Sequence, residues 1–193
     1  MNQRQNAGIP RTILLVLAAL VLSAVSAFAQ SHDQFTANLV DPAGHFGRFR
    51  SNTARVVIHL DHYSAQTDID RLSGVLRQKG PEALRDALWN EEVGFIRVGG
   101  GLGYPIAAAV SRPGENGNRV VRIMIDRPIS QREVILNTRT VDYPFTFIEI
   151  KLDASGKGQG QFFAAAKVKM KGDTLEVESY SPQPLRLLGV ATR

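Results

Sequence analysis

A short cluster of ionisable residues, His59-Leu60-Asp61-His62, is the one stretch whose residue types suggest a reactive site. In an extended strand, His59 and Asp61 share a face about 7 Å apart, whereas His62 points to the opposite face. A carboxylate beside a histidine can support acid–base chemistry. One hypothesis is therefore a small secreted hydrolase that uses His59 and Asp61, with His62 or Tyr143 as further candidates. The simpler interpretation is a solvated strand end.

Other catalytic and cofactor signals are missing from the sequence. No Gly-x-Ser-x-Gly motif supplies a nucleophile, and the chain has no cysteine. A metal site needs at least three converging ligands, which one strand cannot supply from the histidine cluster. The glycines of the 99–103 stretch precede an apolar strand rather than a helix, so they do not form a phosphate loop. We predict a non-catalytic protein without a metal or another cofactor.

Positive charge is only modestly in excess. The chain carries 23 Lys and Arg residues against 18 Asp and Glu residues, a net charge of +5. Residues 112–139 contain six arginines, but no aromatic residues are interleaved with them as stacking platforms. We therefore predict no nucleic-acid partner, and we interpret the arginines as solvated strand faces.

Two alanine runs, at 107–109 and 164–166, leave space above a sheet. One interpretation is that helices sit closely on these strands and fill the space with leucines. The other is a cavity for a small apolar ligand, as in sheets that enclose one molecule. The candidate ligand-binding residues are Leu76, Leu84, Ala108, Ala164 and Ala166.

The N-terminal 29 residues have the three-part layout of a secretory signal peptide. Arg4 and Arg11 precede the apolar run from Ile13 to Leu22, and Ala27-Phe28-Ala29 forms a small-x-small cleavage site. The apolar and small residues from 13 to 29 number 17, just short of a membrane helix of about 18. We expect cleavage after Ala29, a secreted or periplasmic location and no stable membrane anchor. An uncleaved anchor is the alternative.

Residues 30–52 show no clear period and are predicted to form an extended N-terminal arm, followed by a single domain over 53–193. The domain begins with a strand at 55–63. Apolar residues then recur at helical spacing, and Gly80-Pro81 separates two such stretches, with glycine at one helix end and proline at the next start. This pattern predicts a helical hairpin over 67–90.

Everything after Val93 reads as short strands, including one at 132–137. The short links between them favour antiparallel pairing, because parallel crossovers need a dozen or more residues. The predicted fold class is α+β: a mostly antiparallel sheet, curled into a partial barrel or folded into two layers, with one helical hairpin inserted after the first strand.

The best specified piece is a hairpin around Gly172-Asp173, a two-residue turn with glycine first. This turn fixes the register. It pairs Met170 with Leu175 and Val168 with Val177 on one face. On the other face it predicts two pairs of opposite charge, Lys169 with Glu176 and Lys167 with Glu178.

The leading functional hypothesis is an exported, non-catalytic domain that binds a small apolar ligand or a protein partner. The sequence does not name that partner. The hydrolase described above is one alternative, and a structural component of the cell envelope is another. The chain resembles no family through a motif in its sequence.

Overall fold

The computed structural model describes residues 32–42, 53–129 and 142–193. The predicted signal peptide, residues 30, 31 and 43–52 of the predicted arm, and the predicted strand at 132–137 lie outside the described residues. The elements are β1 (Asp33–Val40), β2 (Thr53–Leu60), α1 (Gln66–Leu88), β3 (Gly94–Val98), β4 (Gly103–Ile106), β5 (Ala108–Pro113), β6 (Arg119–Ile125), β7 (Phe145–Leu152), β8 (Lys157–Lys171), β9 (Thr174–Ser179) and β10 (Leu185–Thr192).

The ten strands of the described residues belong to one antiparallel sheet that nearly closes on itself. Its order is β4-β3-β2-β1-β10-β8-β7-β6-β5, with β9 attached to β8. The two ends of this order, β4 and β5, follow one another in the chain and are separated only by Ala107. The Ala107 N–H donates to the Met124 carbonyl at 3.1 Å. One stretch of chain therefore pairs first with β3 and then with β6, and this brings the two ends of the sheet together. The predicted α+β class with a mostly antiparallel sheet is confirmed, in a barrel-like form.

Strand β1 lies within the sheet, in a stretch that the sequence analysis assigned to the extended arm. Asp33–Val40 was expected in an arm outside the domain, but it pairs with β2 on one side and with β10 on the other. The physical reason is the alternation of Phe35, Ala37 and Leu39, which all point into the barrel and are buried.

The interior of the barrel is filled with apolar side chains that come from strands all around it. Phe35 and Phe162 are each 1% exposed and are among the largest of them. The other fully or largely buried members are Ala37, Leu39, Val56, Ile58, Leu60, Val93, Ile96, Ile106, Ala109, Val121, Ile123, Ile125, Ile148, Ile150, Leu152, Leu187 and Val190. This dense filling is typical of a small barrel of about eight strands, in which side chains occupy the interior.

The predicted helical hairpin is corrected to one bent helix. Within residues 32–42, 53–129 and 142–193 the structure has one α-helix, from Gln66 to Leu88, and a short 3-10 turn at Glu115–Gly117. The interruption of the α-helix occupies one residue, Gly80, at φ 84° and ψ −176°. Glycine tolerates this conformation because it has no Cβ. Since no loop separates the helical residues before Gly80 from those after it, the two parts belong to one bent helix. The bend is sharp, because the Arg71 Nη2 atom donates to the Glu91 Oε1 atom at 2.6 Å. In a straight helix, 20 residues span about 30 Å, which is too far for these two side chains to meet.

A bulge in β8 decides what α1 packs against. Phe145 pairs with Ala166 and Phe147 pairs with Phe163, so β8 has one extra residue between these pairs. Before the bulge Phe162 points into the barrel, and after it Ala166 and Val168 point outward. The bulge thus moves even-numbered residues of β8 from the interior to the face that α1 covers, because side chains alternate along a strand.

The β8–β9 hairpin confirms the predicted register at every pair. Lys171 faces Thr174, Met170 faces Leu175, and the pairing continues to Ala166 and Ser179. Gly172 has φ 59°, which the first position of a glycine-first turn requires. Because the turn and the alternation act locally, this part of the fold follows directly from the sequence.

Candidate functional site

The predicted apolar binding residues lie in two different places. Leu76, Leu84, Ala108 and Ala166 share one buried cluster between α1 and the outer face of the barrel. Ala164 instead packs against the barrel interior. Phenylalanine side chains occupy the cluster between the helix and the sheet together with the leucines and alanines, namely Phe145, Phe147 and Phe163.

His59 and Asp61 form a pair on the outer face of the barrel. The His59 Nε2 atom lies 3.1 Å from the Asp61 Oδ1 atom, and the two side chains are 35% and 60% exposed. The His59 ring also packs against Phe95, with 5.3 Å between centroids. His62 is half-buried in the segment that follows β2. Within residues 32–42, 53–129 and 142–193, no three His, Asp or Glu side chains are grouped to hold a metal ion.

Tyr143 lies against the β8–β9 hairpin. Its hydroxyl donates to Glu178 at 2.7 Å, and its ring meets Tyr180 edge-on at 5.4 Å. The hydrogen bond to Glu178 raises the pKa of Tyr143 above its usual value. The contacts of Tyr143 are therefore with β9 and its following residue, whereas His59 contacts Asp61 and Phe95 of β3.

A polar network that no pattern in the sequence indicated lies at one end of the barrel. Asp33, 13% exposed, accepts hydrogen bonds from the Tyr63 hydroxyl at 2.5 Å and from Arg119 Nη1 at 2.8 Å. Burial and the bond to Asp33 raise the pKa of Tyr63, so its hydroxyl stays protonated and acts as a donor. The network joins the starts of β1 and β6 to the segment after β2, which gives it a structural role in holding the barrel end together.

A groove of about 550 Å³ lies on the outer face of β7, β8 and β10. We call it the glutamine groove, because three glutamines line it. The lining residues are Pro42, Glu149, Lys151, Gln159, Gly160, Gln161, Gln183, Pro184, Arg186 and Leu188. None of them was among the candidate residues from the sequence, since their proximity depends on pairing between distant strands.

Strand register aligns the polar side chains of the glutamine groove. Gln161 is opposite Glu149 on β7 and opposite Arg186 on β10. Gln159 is opposite Lys151 in the adjacent row. The carboxylate of Glu149 is held by Arg122 at 2.8 Å and by Lys151 at 3.6 Å. The groove thus offers amide groups that both donate and accept, next to two cations and one carboxylate that is already paired.

No family model, curated protein or solved structure matches the chain. Among the residues that the structure describes, no helix is both long enough and apolar enough to cross a membrane.

Proposed function

We propose that the protein is an exported, non-catalytic domain that binds a polypeptide partner in the glutamine groove. Export is proposed from the signal-peptide pattern of residues 1–29. The observation that supports binding is the alignment of amide and charged side chains along three neighbouring strands. Of the two kinds of partner that the sequence left open, a protein partner suits this groove better than a small apolar molecule.

The spacing of the groove residues supports an extended peptide as the bound form. Gln159 and Gln161 lie two residues apart on one strand face, and so do Glu149 and Lys151 on β7. Residues two apart in a strand repeat about every 7 Å. An extended peptide that runs along the strand has the same two-residue repeat, so every second peptide group meets the next side-chain amide or charge.

The groove is mainly polar, and this determines how a peptide would be bound there. Gln159, Gln161, Lys151 and Arg186 are exposed, and the apolar contribution is limited to Pro42, Pro184 and Leu188 at the margins. Such a surface resembles transient interfaces, which use hydrogen bonds and water more than buried apolar area. We therefore expect moderate affinity and a strong dependence on the glutamine side chains.

The test is selection from a random peptide library with the immobilised mature protein. Peptides selected by the natural protein should lose at least ten-fold in affinity for the double variant Gln159→Ala, Gln161→Ala. The matched control is Gln78→Ala, which removes an exposed glutamine from α1 instead. Selected peptides that bind all three proteins equally would place recognition elsewhere and contradict the proposal.

One observation favours a second function, hydrolysis. The 3.1 Å contact between His59 and Asp61 is the geometry of a base with its orienting carboxylate. If the protein is a hydrolase, purified protein should cleave some member of a panel of esters, amides and phosphodiesters. That activity should disappear in His59→Ala and persist in Gln78→Ala, a change of an exposed glutamine on α1. Activity that survives His59→Ala would exclude this pair as the catalytic site.

A further inference from the structure

Strand β9 has a free side. It pairs with β8 along its whole length, and no other strand of the described residues pairs with it. The β8–β9 hairpin extends past the region in which β8 pairs with β10, since that pairing ends at Phe162. An unpaired strand edge is a template for another strand.

The turn geometry tells which backbone groups of β9 face this free side. Lys171 and Thr174 close a two-residue turn, so they form a hydrogen-bonded pair, and such pairs recur at every second residue. The Tyr180 N–H continues this series, because it donates to the Ala165 carbonyl at 3.0 Å. The N–H and C=O groups of the odd-numbered residues, Leu175, Val177 and Ser179, therefore point away from β8.

The two faces of β9 differ in chemistry. Leu175 and Val177 continue the apolar face under α1, and both pack against the cluster there. Glu176 lies on the opposite face, 3.1 Å from Lys169 and 3.1 Å from Lys171. A cavity of about 330 Å³ lies on this charged face of the hairpin and is lined by Lys167, Lys169, Glu176, Val177 and Glu178.

Charge decides what kind of strand fits. When two copies of β9 pair antiparallel through their odd-numbered residues around the strand centre, Glu176 lies opposite Glu176 or Glu178 of the other copy. Like charges that face each other across strands are destabilising. The glutamates are the charged residues nearest to the free edge, and the lysines of β8 that pair with Glu176 lie one strand further away. The edge therefore opposes self-pairing and favours a strand with basic residues at alternate positions. The chain already contains one such strand in Lys167–Lys171, where lysines alternate with Val168 and Met170.

We infer that β9 is a docking edge for an extended polypeptide segment in which basic and apolar residues alternate. The added strand receives backbone hydrogen bonds from Leu175, Val177 and Ser179, places its basic side chains beside Glu176 and Glu178, and places its apolar side chains beside Leu175 and Val177. This edge is separate from the glutamine groove, so the inference goes beyond the proposed function.

The probe is a synthetic peptide with the sequence of residues 165–171, Ala-Ala-Lys-Val-Lys-Met-Lys, added to the mature protein. Amide hydrogen exchange followed by NMR should show the N–H groups of Leu175, Val177 and Ser179 slowed at least ten-fold by the peptide. Those of Glu176 and Glu178 are already protected by β8 and should change little. A peptide with glutamate in place of each lysine should bind at least ten-fold more weakly.

Two variants separate backbone pairing from charge. Val177→Pro removes an N–H that points to the free side and leaves the hydrogen bonds to β8 in place, as edge strands tolerate; it should abolish peptide binding while the amides of β8 stay protected. Glu176→Gln with Glu178→Gln should weaken binding at least five-fold. The matched control, Glu82→Gln with Glu92→Gln, changes exposed carboxylates away from the hairpin and should have no effect.

The inference is overturned if the lysine peptide does not bind at millimolar concentration, if it protects amides outside β9, or if Val177→Pro binds it as well as the natural protein. The double variant Gln159→Ala, Gln161→Ala should bind the lysine peptide normally. The same set of proteins therefore distinguishes loss of peptide binding at the β9 edge from loss of peptide binding in the glutamine groove.

Discussion

The network at the end of the barrel makes a quantitative prediction about Tyr63. Tyr63→Phe removes one hydroxyl that donates to Asp33 at 2.5 Å and leaves the ring in place. A hydrogen bond to a charged group contributes about 1.5–3 kcal/mol to folding. Arg119 still neutralises Asp33 in the variant, and Tyr63 is only half-buried. We therefore expect the low end, a loss of about 1.5 kcal/mol in the free energy of unfolding.

This loss should be visible in thermal and chemical unfolding of the mature protein. A change of 1 kcal/mol moves Tm by about 2–4 °C at this chain length, so Tm should fall by about 3–6 °C. The control is Tyr180→Phe, because the Tyr180 side chain is 60% exposed. The free energy of unfolding of this variant should stay within about 0.5 kcal/mol of that of the natural protein, as is usual for surface substitutions.

The same variant has a signature at alkaline pH. The pKa of Tyr63 in the folded protein lies above its usual value of about 10. Between these two values the unfolded chain releases the proton and the folded protein keeps it, so the free energy of unfolding decreases as the pH rises above about 10. Tyr63→Phe should remove this part of the decrease. A variant as stable as the natural protein, with an unchanged alkaline slope, would refute the proposed role of the network.

Three further predictions follow from the packing and from the N-terminal pattern. Leu84→Ala opens a cavity at a side chain that is 3% exposed and should cost about 3 kcal/mol in urea unfolding. Ala108→Leu overfills the helix–sheet cluster and should cost about 1–3 kcal/mol, while the affinity for groove-selected peptides stays unchanged by calorimetry. Mass spectrometry of exported protein should show a mature chain that starts at Gln30; a chain that still begins at Met1 would contradict the signal peptide.

The features that depend on neighbouring residues are predictable from the sequence. The Gly172-Asp173 turn and the alternation around it were sufficient to predict the whole register of β8 with β9, because a two-residue turn leaves one pairing. The break at Gly80-Pro81 was also placed correctly. Its consequence was not: the chain bends within one element, since the conformation of Gly80 alone accommodates the change of direction.

The features that depend on distant residues are not predictable in this way. Closure of the barrel depends on Ala107, where one stretch of chain leaves β3 and joins β6. The pair of Asp33 and Arg119 spans 86 residues. The glutamine groove requires Gln161 to lie between Glu149 and Arg186, which follows from the pairing of β8 with two other strands. No local pattern in the sequence carries this information.

Site-specific photocrosslinking tests the proposed function most directly. A photoreactive residue replaces Leu188 at the margin of the groove or, as the control, Gln78 on α1, and each protein is irradiated in the producing cells. We expect a discrete protein adduct from position 188 that is lost on Gln159→Ala with Gln161→Ala and is absent from position 78. The same adducts from both positions, or none from position 188, would contradict binding of a polypeptide in the glutamine groove.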